Sequence, residues 1–167
     1  MSKNFLTLFF IFLTLFINNV LHAEKKEPPE EKTPLKIVSD KADFDDKTGI
    51  ATYTGKVIAT EGEKRIEGNQ LKIYRGKNNK IEKMVATGTP AIFTLPPEIN
   101  KPFIKGHALQ IDYIVEDSTV ILSKEAEISQ NKDSIVGEKI IYNLKTKMLR
   151  SEPVPNKRTT VIIHPNS

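Results

Sequence analysis

The side chains with chemistry to offer are scattered along this chain. Asp43, Asp45, Asp46 and Gly49 fall near the spacing of a calcium loop, where alternate carboxylates supply oxygens and a glycine makes the sharp turn. The glycine stands one place late, however, and Thr54 occupies the position that a bidentate glutamate should hold. A hairpin turn accounts for these residues better. His107 and His164 lack the i, i+4 partner or paired carboxylate that metal sites use. There is no Gly-x-Ser-x-Gly elbow, phosphate-binding loop or dinucleotide fingerprint. Carboxylates are plentiful, but nearly all sit beside lysine in turns, which is how a solvated face looks. The run Arg75 to Lys83 carries four Lys or Arg and reads as a solvated loop, or else as a contact for phosphorylated lipid head groups. No enzyme activity, metal or other cofactor is expected.

If the chain does no chemistry, its elements must make a surface or a container. Of its 167 residues, the first 23 read as a secretory signal peptide. Lys3 supplies the positive charge, Phe5 to Val20 the apolar run, and Leu21-His22-Ala23 a small-residue cleavage site. The apolar run is shorter than the ~20 residues that span a bilayer, so cleavage after Ala23 is expected rather than anchoring. Residues 24–34, "EKKEPPEEKTP", are almost all charged or proline and read as a disordered tether. Residues 35–165 are left for one domain with a core of its own. Without Lys3, 24 basic residues face 21 acidic ones, a spread-out net of +3 that suggests no nucleic-acid partner. The absence of cysteine leaves an exported protein to be held by its core and backbone ladders alone.

From Leu35 on, β-branched and aromatic residues recur in short runs between turn signals, and no helical period is sustained. One phrase returns four times: Ile37-Val-Ser39, Ile66-Glu-Gly68, Ile104-Lys-Gly106 and Ile135-Val-Gly137, each followed by apolar residues. Internal similarity at this period marks a stack of one supersecondary unit, here a long hairpin. Within the phrase, Ile66 and Leu71 lie five apart, a spacing that puts side chains on opposite faces of a regular strand. The residues between them are mostly polar, so a bend at the glycine is expected, which would direct both apolar ends inward. Four bent hairpins stacked in register would make two facing sheets with one long seam, all-β and antiparallel. That seam is either a packed core or a groove for something apolar. From the repeat pattern its lining includes Tyr53, Ile66, Leu71, Ile73, Ile104, Leu109, Ile111, Ile135, Ile140 and Tyr142. The first strand, Leu35 to Ser39, and the last, Arg158 to His164, contain no proline. Either they permit head-to-tail pairing, or Lys36, Lys157 and Arg158 discourage it.

Several stretches together resemble the LptA-like (OstA-like) family of periplasmic lipopolysaccharide-transport proteins. They are Ile37-Val-Ser-Asp-Lys-Ala, Tyr53-Thr-Gly-Lys-Val-Ile-Ala-Thr, Gly88-Thr-Pro-Ala-Ile-Phe93, Lys105-Gly-His-Ala-Leu-Gln, Ile135-Val-Gly-Glu-Lys-Ile-Ile-Tyr142 and Arg158-Thr-Thr-Val-Ile-Ile. The resemblance implies a V-shaped antiparallel β-jellyroll of about sixteen strands, open at both ends, with lipopolysaccharide acyl chains in the crease. It implies head-to-tail self-association that bridges an LptC-like inner-membrane protein at the N-terminal edge and an LptD-like outer-membrane protein at the C-terminal edge. An ATPase elsewhere would supply the energy. It adds Leu35, Ile37, Phe44, Phe93 and Tyr113 to the expected lipid-binding residues. Against the family's longer polar tail, the short ending at Ser167 is expected to bear on how units stack. Two other readings remain: an LptC-like sister component that keeps its anchor, and a purely structural β-repeat protein with a solid seam.

Overall fold

A computed structural model describes residues 33–96 and 102–165, which belong to one compact unit. The expected signal peptide and residues 24–32 of the tether lie outside the described residues. Among the described residues every regular element is a strand: β1 (Leu35–Val38), β2 (Lys41–Asp45), β3 (Ile50–Glu61), β4 (Lys64–Arg75), β5 (Ile81–Leu95), β6 (Ile104–Ile114), β7 (Thr119–Gln130), β8 (Asp133–Asn143), β9 (Leu149–Ser151) and β10 (Thr160–Ile162). They form one antiparallel sheet in the order β1-β3-β4-β5-β6-β7-β8-β10. β2 also pairs with β3, and β9 with β8.

Ten continuous strands stand where about sixteen were expected, because the six long ones run through their bends without ending. Each of those six carries an irregularity of register, for example between Thr54 and Val57 of β3 and between Glu67 and Gln70 of β4. The alternation resets there. Leu71 and Ile73 are buried beyond the shift in β4, while Ile66, on the other parity, packs against the same core before it. Gly88-Thr89-Pro90 forms the bend inside β5.

The phrase glycines serve this bend less directly than their spacing suggests. Gly68 lies inside the shift, where a Cβ would stand 2.7 Å from the Thr87 carbonyl oxygen. Gly106 remains in register with Phe93 and Ile128, and a Cβ there would collide with the Phe93 ring. The left-handed backbone that lets a strand kink is taken up in the partner strands, by Gly55 and Lys56 in β3 and by Lys124 and Glu125 in β7.

Side chains lose nearly all their exposure on one face of this single sheet, which requires the sheet to fold on itself. Leu71, Ile111, Leu122 and Ile140 are fully buried. Alanine recurs where the strands bend or face across the interior: Ala51, Ala59, Ala86, Ala91, Ala108 and Ala126 are all buried. Small side chains there let the two halves of the sheet close over the larger ones. On the outer face the one buried charge among the described residues, Asp112, holds Lys83 Nζ at 2.7 Å and accepts from Gln110 Nε2 at 2.8 Å.

Candidate functional site

The possible calcium loop resolves first. Asp45 Oδ1 accepts the Lys47 amide at 2.9 Å and the Thr48 amide at 3.3 Å, so this carboxylate caps the β2–β3 turn. The Thr48 hydroxyl, and then the Thr48 and Lys47 amides, hold its carboxyl below the ordinary value. His107 lies on the outer face 3.7 Å from Glu127, and the His164 amide donates to Asp133 at 2.8 Å. Among the described residues no three His, Cys, Asp or Glu side chains converge as metal ligands would.

The interior is the remaining candidate, and it varies along the stack. From β3 to β7 it is closed, with Ala51, Leu71, Ala86, Phe93, Ile111 and Leu122 packed against one another. At the C-terminal end it opens into a cleft of about 380 Å³. Its walls are Leu95, Pro96, Ile104, Ile128, Ile135, Tyr142, Leu149, Val161, Ile162 and Ile163. Gln130, Asp133, Ser134 and Lys147 add polar atoms. β10 continues the half-sheet that holds the first half of β8, and β9 continues the other half-sheet beside the second half of β8. Gln130 Nε2 bonds the Pro102 carbonyl at 3.1 Å, tying the loop after β5 to the end of β7. Each end of the sheet has a free edge: β1 and β2 pair only with β3, and β9 and β10 only with β8.

Residues 36–148 match the family model described as LptA/(LptD N-terminal domain) LPS transport protein. The chain belongs to this family. It is 30% identical over 133 residues to the lipopolysaccharide export system protein LptH of Pseudomonas aeruginosa, a match covering 80% of this chain and 76% of that one. Identity to the lipopolysaccharide export system protein LptA of Escherichia coli (strain K12) is 31% over 134 residues, covering 80% and 72%. The crystal structure of P. aeruginosa LptH, described as the LptA homologous periplasmic component of the lipopolysaccharide transport device, aligns at a TM-score of 0.73. That alignment has 29% identity and covers 83% of this chain and 100% of that one.

For a member of the LptA/LptD N-terminal domain family, the expected lining residues divide into three groups. Ile104, Ile135 and Tyr142 stand in the cleft wall. Leu71, Ile73, Phe93, Ile111 and Ile140 are buried in the closed part, while Leu35, Ile37, Tyr53, Ile66 and Tyr113 pack half-buried around it. Two differ from expectation. Phe44 is 62% exposed, because β2 is an edge strand; the Tyr53 ring meets it edge-on at 5.9 Å. Leu109 falls in the bend between His107 and Gln110 and stays outside the core cluster. The reading missed Leu95, Ile128, Leu149, Val161 and Ile163. The signal for the last two is the run "RTTVIIH", which reads as an edge strand and not as a wall.

Proposed function

We propose that this protein is a periplasmic carrier that holds lipopolysaccharide acyl chains in its apolar interior and passes them along a head-to-tail stack from the inner to the outer membrane. The observation that carries this reading is the cleft: an apolar interior, continuous along the sheet, opens at the end that bears a free edge. Each acyl CH₂ transferred there from water gains about 0.8 kcal/mol. Movement between similar apolar positions changes that total little, so the carrier needs no chemistry of its own. Ile104, Ile135 and Tyr142 would meet the lipid first, and the closed part would open ahead of it. Export with cleavage after Ala23 would place the protein in the periplasm.

Counted as two halves each, the six long strands and the four short ones would make sixteen segments, which supports reading the sheet as a V-shaped jellyroll. Strand direction supports stacking. Eight positions alternate along the path from β1 to β10, so the two end strands run in opposite directions. A copy translated along the stack then offers β1 antiparallel to β10 with the same face inward. An LptC-like protein would dock at the β1/β2 edge and an LptD-like protein at the β9/β10 edge.

The closed middle supports the other reading, a structural β-repeat protein whose seam is solid. A photo-crosslinking residue at Ile104, with outward-facing Lys72 as control, separates the two. Lipopolysaccharide captured at position 104 and not at 72 is the expected result. Capture at neither position would return the interior to plain architecture.

A further inference from the structure

We propose that β10 couples the cleft to end-to-end docking, so that an acyl chain in the cleft and a second copy on the C-terminal edge each strengthen binding of the other. The inference rests on the carrier reading above and adds regulation to it.

One short strand does two things. Its inner face, Val161 opposite Ile135, together with Ile163 just beyond, forms a wall of the cleft. Its outer edge is the free end of the sheet, where the antiparallel β1 of the next copy would add. Among the described residues β10 pairs with β8 at three positions, and His164 beyond it meets Asp133 through its amide at 2.8 Å and its ring at 3.5 Å. The segment leading into it is tied down by the Ser151–Thr159 hydroxyl pair and by Lys157 to Glu138 at 3.7 Å. Val161, Ile162 and Ile163 remain largely exposed, Ile163 at 69%. A segment with one ladder and little buried surface opens at low free-energy cost.

Either partner restricts this strand. An acyl chain packs against Val161 and Ile163 from inside, and a docked β1 adds a second ladder from outside. The first to arrive bears most of the ordering entropy, and the second meets a wall already in place. Linkage then requires the two effects to be equal in size. Tighter binding in a cleft whose end strand carries a docked neighbour would also point the transfer of lipid toward the occupied end of the stack.

The test measures binding of fluorescent lipopolysaccharide to the exported protein across a dilution series that spans self-association. Sedimentation with and without lipopolysaccharide gives the association constant in the same samples. Lipopolysaccharide affinity is expected to rise at least about fivefold on association, and the association constant by the same factor. Val38→Pro, on the opposite edge and outside the cleft wall, is expected to abolish association and hold affinity at its dilute value throughout. Should that variant fail to fold, the dilution series of the unaltered protein still gives both numbers. Unchanged affinity across the series, or association weakened by lipopolysaccharide, overturns the coupling while leaving the carrier reading intact. Absence of lipopolysaccharide binding overturns both, and absence of self-association overturns the coupling together with the stack.

Discussion

The middle of the interior and its C-terminal end are built from the same repeated hairpin, yet one is closed and the other open. In the middle, an inward residue such as Leu122 has long strands on both sides and a facing half-sheet above it, and keeps no exposure at all. At the end, each half-sheet finishes in a strand of only three residues, β10 beside the first half of β8 and β9 beside the second, and part of the lining stays uncovered. Openness here follows from the length of the closing strands, since the apolar lining itself hardly changes. The open part of this interior therefore lies at the C-terminal end of the sheet.

The largest expected effect tests the closed region. Leu122→Ala should cost about 3 kcal/mol through lost burial and a cavity that long strands on both sides hold open. Ile163→Ala at the cleft rim should stay within about 0.5 kcal/mol. Urea unfolding midpoints of the two variants measure the contrast, and equal losses would break it.

Gly106→Ala sharpens the account of how the halves close. The added methyl meets the buried Phe93 ring, which has little room to turn, so about 2 kcal/mol of destabilisation is expected. The double variant with Phe93→Leu should recover part of that loss in the same unfolding measurement.

Filling the open end should separate stability from function. Ile135→Trp places bulk in the cleft and is expected to shift stability by less than about 1 kcal/mol, while crosslinking of lipopolysaccharide at position 104 falls sharply. A variant that crosslinks normally would exclude the cleft as the lipid site.

The smallest effect concerns the connection from β9 to β10. Lys139, at 2.6 Å, is the first cause holding the Glu152 carboxyl below its ordinary value of 4.5, with Arg150 contributing less. A lowered carboxylate stabilises the folded state at pH above that ordinary value, and the contribution is lost as pH falls through the lowered one. Glu152→Gln should therefore unfold slightly more easily than the parent at neutral pH, with the difference vanishing under strongly acidic conditions. Both partners are partly exposed, so salt should shrink the difference further.

Much of the fold was legible in the chain. The four-fold phrase marked the stacked hairpins, and the five-residue gap from Ile66 to Leu71 required the alternation to reset, because side-chain parity is a local property of a strand. The agent of the bend was harder to read. It involves Gly55–Lys56 and Lys124–Glu125 in neighbouring strands, and Lys or Glu at positive φ leaves no mark in composition. The site was legible in kind and only partly in place. Ile104 and Ile140 look alike as inward residues, but one lines the cleft and the other is sealed, because that depends on what crosses above them.

The sequence by itself determined an all-β antiparallel chain, the positions of its bends within a few residues, the apolar lining and the family. These follow from periodicity and turn chemistry, which act over neighbouring residues. Only the tertiary structure decided which part of the lining is buried, that Phe44 stands on an edge strand, and that β10 both walls the cleft and ends the sheet. Those outcomes depend on which strand lies beside which and on how long each one is, and they arise when residues far apart in the chain meet across the sheet.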